Sequence, residues 1–237
     1  MLLINEVSCL IDLDNLQMGL PRKPRASTAE HIALALRDRI VCGEIAADSA
    51  LRQDQVAQEF DSSHVPVREA FQRLQAQGLV VALPRRGVRV APLDLASIRE
   101  TVEIRTALEG LALRSAAPQM TEQDVAALEA AQHQCNAADS LEAWDAANRA
   151  FHRALVAPCR MPRLLQMLDH LQLANSRVVF AAGRTKGWRP RSNHDHQLII
   201  DALKAGDADR ATSLLNRHIG TMERVGFPTV DAGDARA

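Results

Sequence analysis

Three histidines in the second half of the chain stand where coordination chemistry can be built. His152 follows Phe151 and precedes Leu155 and Val156; His196 shares a stripe with Ile199, Ile200 and Leu203; His218 shares one with Leu214, Leu215 and Met222. Spacings of three and four residues put each ring on the apolar side of its helix. One histidine in such a place is ordinarily a core residue. Three together ask for more, because every buried imidazole needs polar partners, and a divalent metal satisfies several at once. Asn148 lies one turn before His152 on the same face. The nitrogen-rich set suits Zn2+, Ni2+ or another late first-row ion. His170, in a run with Met167, Leu171 and Ala174, reads as core. His194, two residues before His196, faces another way, and Asp195 belongs either to the surface or beside the ligands.

The elements that must position these side chains are helices. From Leu95 the pattern predicts segments at about 95–116, 121–138, 141–156, 160–181, 189–204 and 208–226. Pro118 followed by Thr121-x-x-Asp124, which resembles a capping box, marks one break. Ala157-Pro158, the stretch from Gly183 to Pro190, and Gly206-Asp207 mark the others. A bundle of antiparallel helices is the economical arrangement. Metal and histidines on a bundle also occur in enzymes. Here no glutamate stands at a fixed offset from the histidines as in H-E-x-x-H, and there is no glycine-rich phosphate loop or nucleophile elbow.

The stretch from Leu51 to Val90 is organised differently. It reads as a short helix, a turn, a second helix, then two short strands joined at Pro84-Arg85-Arg86-Gly87. The second helix is expected to start at Ser63, whose hydroxyl would cap it, with Pro66 in its first turn and Gly78 at its end. Val67, Ala70, Phe71 and Leu74 form its apolar face. An earlier helix, about Ala29 to Cys42, carries Ile32, Leu36 and Ile40 inward and ends at Gly43. Together these predict a winged helix-turn-helix whose second helix fits a DNA major groove. Arg68 and Arg73 are its basic side chains; Arg85, Arg86 and Arg89 lie on the wing.

This stretch resembles the DNA-binding domain of the GntR superfamily of bacterial transcription regulators. The matched residues are Val56-Ala57, Ser63, Pro66-Val67-Arg68-Glu69-Ala70, Arg73-Leu74, Gly78-Leu79-Val80 and Arg86-Gly87 to Val90. Two positions depart: the family's serine-arginine-threonine is Ser63-His64-Val65, and an arginine usual in the preceding helix is Asp54. The operator sequence therefore does not carry over. The helical half resembles the ligand-binding (FCD) domain of the FadR-like branch, through Ile104-Arg-Thr-Ala-Leu-Glu109, Asn148-Arg-Ala-Phe-His152, His196-x-x-Ile199-x-x-Ala202-Leu203 and Arg217-His218-Ile219. The resemblance covers roughly residues 27 to 222. It implies a DNA-facing set of Arg52, Ser63, His64, Arg68, Arg73, Arg85 and Arg86, and a metal site of Asn148, His152, His196 and His218. It also implies a small-carboxylate effector such as a sugar acid, dicarboxylate or amino acid. Arg105 stands where the family keeps an arginine near the ligand cavity and would hold that carboxylate bidentately; alternatively it pairs along its helix with Glu109. Arg177 is a weaker effector candidate. A homodimer and repression are the family's usual mode, and a dimer spans two operator half-sites. Alternative readings are a metal-dependent enzyme, or a regulator whose metal is structural or is itself the signal.

Composition sets the frame. The chain has 237 residues, 47% of them hydrophobic, with a net charge of -1, which suggests one large or two modest domains; 11 Gly, no Tyr and many Ala, Leu and Arg suggest a mainly α fold. Near-zero charge argues against a nonspecific nucleic-acid coat, not against a reader with local positive charge. Cys9, Cys42, Cys135 and Cys159 are far apart and suit a reducing cytoplasm. No apolar run is long enough to cross a membrane. The expected organisation is an extension over 1–25, the winged domain over 26–92, the helical domain over 95–228 and a tail over 229–237. In the extension, Pro21-Arg-Lys-Pro-Arg25 reads as a basic arm, and Met18 is an alternative start.

Overall fold

Helix α1 (Thr28–Val41) starts where Ser27 accepts the backbone N–H of Glu30 at 3.2 Å. The computed structural model describes residues 27–84, 86–186 and 193–221. The expectations for the N-terminal extension and its basic arm, Arg85, Met222 and the C-terminal tail fall outside those residues. Strand β1 (Ala50–Leu51), helices α2 (Gln53–Glu59) and α3 (His64–Ala76), and strands β2 (Val80–Leu83) and β3 (Gly87–Val90) complete the first domain. The sequence pattern indicated a two-stranded wing. The sheet has three antiparallel strands in the order β1-β3-β2, because Ala50 and Leu51 pair with Arg89 and Val88. Two residues are too few to show an alternation. The core joins Ile32, Leu36 and Ile40 of α1 to Val67, Phe71 and Leu74 of α3 and Val80 and Val90 of the wing.

One expected cap is absent. The Ser63 side chain makes no capping hydrogen bond to α3. A cap normally bonds the N–H two or three residues on, and three residues on stands Pro66, which has none. Gln53 instead donates through Nε2 to the His64 carbonyl at 2.9 Å, tying α2 to the start of α3.

Helix α4 (Leu95–Ala116) is capped by Asp94, which accepts the N–H of Ser97 at 2.8 Å. Helix α5 (Glu122–Ala137) follows a short 3-10 turn, and its Thr121–Asp124 capping box forms in full. Then come α6 (Leu141–Val156), α7 (Pro162–Lys186), α8 (Asn193–Lys204) and α9 (Ala208–Gly220). Their common core includes Leu113, Leu128, Phe151, Leu155, Ile199, Ile200 and Leu215.

Helix α7 runs further than its hydrophobic pattern indicated, to Lys186, because its later turns, besides lining the bundle, pack against the first domain. Phe180 belongs to the core of that domain, with Leu173 and Leu141 packed beside it. Arg177 donates through Nη2 to the Ala91 carbonyl at 2.6 Å, and Arg184 donates to the Cys42 carbonyl. Gly43, at φ +76°, lies directly under the Arg184 guanidinium, where a side chain would collide with it. His170 follows from the same geometry. It is half-buried and lines a groove with Leu34, Arg37 and Arg73, rather than sitting in the bundle core. Because Phe180 is buried, Phe180→Ala should lower the stability of the first domain by about 3 kcal/mol. Urea denaturation followed by circular dichroism measures this, and an unchanged midpoint would show that α7 does not hold that domain.

Candidate functional site

The helical bundle brings His152, His196 and His218 together. Each offers a ring nitrogen, these atoms lie within 4.8 Å of one another, and all three residues are buried. Helix α6 starts where Ser140 accepts the N–H of Ala143, and its inner face carries Trp144, Asn148, Phe151, His152 and Leu155. Phe151 stacks on the His196 ring, with centroids 3.9 Å apart and planes 12° from parallel. It therefore excludes water from one face of the cluster.

The outer nitrogens of these rings are held by oxygens. His152 Nδ1 donates to Glu109 Oε2 at 2.8 Å. His196 Nδ1 donates to Gln132 Oε1 at 2.9 Å. The orientation of that amide is fixed by its other end, where Gln132 Nε2 donates to the Asn193 carbonyl at 2.6 Å. Asp195 Oδ2 stands 3.5 Å from His218 Nδ1, within ion-pair reach but not aligned as a hydrogen bond. With the proton on Nδ1, His152 and His196 present bare lone pairs at Nε2. His218 Nε2 lies 3.3 Å from each of them. It carries at most one proton and cannot bond both, so at least one Nε2 lone pair is left without a hydrogen-bond donor. A shared cation removes that deficit. Asn148 Oδ1, one turn before His152, is buried without a hydrogen-bond partner. Three inward imidazole nitrogens and a spare amide oxygen are a donor set that fits a late first-row ion, and an oxygen on the far nitrogen of each ring is the usual support for such ligands.

Glu109 was the residue that the sequence reading missed as a site residue. It is 1% exposed and accepts from Arg105 Nε at 2.9 Å and Gln172 Nε2 at 3.1 Å as well as from His152. Burial pushes its carboxyl upward, but Arg105 and then His152 outweigh this and hold it at about 2. Its signal was present: Ile98, Val102, Arg105, Glu109, Ala112 and Ala116 form one buried stripe of α4. Gln132 was missed too, although it lies between Leu128 and Cys135 on the buried stripe of α5.

Arg105 thus makes the helical pair that its spacing allowed, but buried rather than solvated. Its Nη2 is 2.7 Å from Glu109 Oε1 yet lacks hydrogen-bond alignment, which leaves a buried donor over. Arg177 is committed to the Ala91 carbonyl, where the domains meet. Asp195 sits beside His218, and burial keeps His152 and His196 below their ordinary value of 6.5, so both rings are neutral near neutral pH.

In the winged domain Arg52, Ser63, His64, Arg68 and Arg86 are exposed. Arg73 is exposed but lines the groove with His170, at the end of α3 nearest α7. Five residues from Arg68, it is turned about 140° around the helix. His64 Nε2 lies 3.6 Å from Asp54 Oδ1, so the two positions that depart from the family pattern face each other across α2 and α3. An acidic group there opposes phosphate and favours base edges that present an N–H.

A winged helix-turn-helix carried by an all-helical domain defines a two-domain transcription regulator. Residues 28–90 match the family described as bacterial regulatory proteins, gntR family, and residues 100–221 match the FCD domain. The chain belongs to the FCD branch of the GntR family of sequence-specific DNA-binding regulators, a family of transcription regulators and not of enzymes. It is 32% identical over 198 residues to the regulator BphR of Paraburkholderia xenovorans, covering 78% of this chain and 79% of that one. It is 31% identical over 199 residues to a probable D-xylose utilization operon transcriptional repressor of Paenarthrobacter nicotinovorans, covering 81% and 87%. The solved structure of Escherichia coli McbR/YncC superposes with a TM-score of 0.70 at 22% identity, covering 83% of this chain and 95% of that one, which speaks for the fold.

Two outcomes are expected. Arg68→Ala should abolish specific operator binding and leave the melting temperature unchanged, since Arg68 is exposed on α3; His64→Arg should alter the preferred bases, and selection from random duplexes returning one operator for both proteins would count against a reading role for His64. The pH response of the metal-free protein follows from the histidines. The folded values of His152 and His196 are depressed, so below 6.5 the unfolded chain takes up protons that the folded chain refuses, and stability falls with pH. Glu109, held at about 2, adds no loss until the pH drops below the usual carboxylate range of about 4.5. The urea midpoint should therefore decline between pH 7.5 and 5.5, and His196→Gln should flatten the slope.

Proposed function

We propose that the helical domain binds one divalent metal through Asn148, His152, His196 and His218, and that a small carboxylate effector binds beside it. The observation that carries this is the cluster of three inward Nε2 atoms, with His218 Nε2 3.3 Å from each of the other two, an arrangement that a shared cation would satisfy. The metal, of the zinc or nickel class, would supply a positive centre for an anion. The buried donor left over on Arg105 Nη2 supports an anionic partner next to the site. Arg177, spent on Ala91, is left out of the effector set.

The protein acts in this reading as a homodimeric repressor in the cytoplasm. Relatives named as repressors, including GlaR of Escherichia coli at 28% identity, support the sign of control. Among the described residues no helix is long and apolar enough to cross a membrane. The DNA-facing set in this reading is Arg52, Ser63, His64, Arg68 and Arg86, together with Arg85, which lies outside the described residues. Effector binding shifts operator affinity because α7, which touches both the site and the head, is shared between the two states.

Protein purified without chelator should carry close to one metal per chain by elemental analysis. The variant with His152, His196 and His218 all changed to Ala should carry none, and equal content in both would identify the histidines as core residues. A metal that is retained while organic acids leave operator affinity unchanged in gel shifts would make the ion structural, or itself the signal.

A further inference from the structure

We propose that Asp54 and His64 act as one specificity-determining pair that selects a C·G base pair in each operator half-site, with Asp54 accepting from cytosine N4 and His64 donating to the guanine opposite. The inference rests on the DNA-facing set above and adds Asp54 to it.

The pair is not spent on the fold. Asp54 lies in the first turn of α2, and His64 opens α3. Asp54 Oδ1 and His64 Nε2 are 3.6 Å apart, beyond a hydrogen bond, and the two side chains are 87% and 58% exposed. An ion pair this exposed adds little stability. What ties α2 to α3 here is the bond from Gln53 Nε2 to the His64 carbonyl at 2.9 Å, which uses neither side chain. It sets the two groups side by side with their hydrogen-bonding capacity free.

The pair does not serve general affinity either. A carboxylate on a DNA-facing surface repels phosphate, the source of nonspecific binding. Its use lies in the groove. The first residues of a recognition helix are those that reach base edges, and His64 shares its face of α3 with Arg68, one turn on. In the major groove an aspartate accepts from cytosine N4. A carboxylate facing Nε2 favours the imidazole tautomer with its proton there, so His64 offers a donor beside the Asp54 acceptor. A C·G pair presents the complement: the N4 donor of cytosine beside the O6 acceptor of guanine. Those two atoms are hydrogen-bonded to each other within the base pair, so they lie about 2.9 Å apart, close to the separation of the two protein atoms. Adenine also presents an amine, but its N6 stands between its own N7 and the O4 of thymine, two acceptors that oppose a carboxylate. Cytosine N4 has an acceptor on one side only. Guanine in the same place shows acceptors alone and is excluded.

The test uses the full-length protein and random duplexes, sequenced after binding and compared with Asp54→Ala, His64→Ala and Arg68→Ala, each checked for folding by circular dichroism. The natural protein should enrich a C·G pair at one position of each half-site. Asp54→Ala and His64→Ala should both lose that enrichment and keep the rest of the selected sequence. Asp54→Asn, which retains the shape of the side chain, should move the preference to adenine, because asparagine bonds adenine N6 and N7 together. In gel shifts on the selected duplex, reversing that C·G to G·C should weaken the natural protein about ten-fold, the discrimination of one good base contact, and Asp54→Ala less than about three-fold. The same selected sequence from the natural protein and Asp54→Ala, with Arg68→Ala binding nothing, would overturn the pair and leave the DNA-facing surface standing. Effects of the Asp54 and His64 variants at different base pairs would also overturn it. Failure of the natural protein to enrich any duplex would overturn both readings. If Asp54→Ala is unfolded, Asp54→Asn decides, and a base preference equal to that of the natural protein would count against the pair.

Discussion

The helical domain depends on one buried carboxylate. Glu109 is closed off from solvent and accepts from Arg105, Gln172 and His152, side chains of three helices. Removing any donor would leave a buried charge short of partners, which is far more costly than losing a surface pair. The same carboxylate fixes the proton of His152 on Nδ1 and so turns its Nε2 lone pair to the centre. Gln132 performs the matching task for His196 with a neutral oxygen. The cluster is thus defined by what stands behind the rings as much as by the rings themselves.

Helix α7 carries that arrangement to the DNA-binding domain. Gln172 bonds Glu109 on one side of the helix. One turn on, Ser176 donates to the buried Asp145 of α6 at 2.8 Å, so α6 and α7 are pinned together beside the site. Further along, Arg177 holds the end of the wing and Phe180 enters the core of the head. A shift of α6 or α7 therefore cannot leave the head where it was, because packed interiors shift as units and do not flex continuously.

The reading surface shows a different economy. His64 and Asp54 are exposed and face each other, so their chemistry is available to a partner rather than spent on the fold. Arg73 belongs to the same helix as Arg68 but to the side that meets α7, which separates a solvent-facing arginine from a domain-facing one. Only the angular position around the helix distinguishes them.

Periodicity in the sequence determined nearly all the helices, because α4 to α9 each bury a face whose spacing is local. It also placed His152, His196 and His218 on inward stripes, and the ordered motifs of both halves carried the family. What it left out is what no local pattern contains. The two-residue strand β1 exists only by pairing with β3. The lack of a Ser63 cap follows from Pro66 but shows only once the turn is built. The far end of α7 and the position of His170 were decided by a second domain packing against the helix. The partners of the rings lie 43 residues from His152, at Glu109, and 64 from His196, at Gln132. Long-range pairing of polar groups is set by how helices cross, and crossing is a property of the packed tertiary structure.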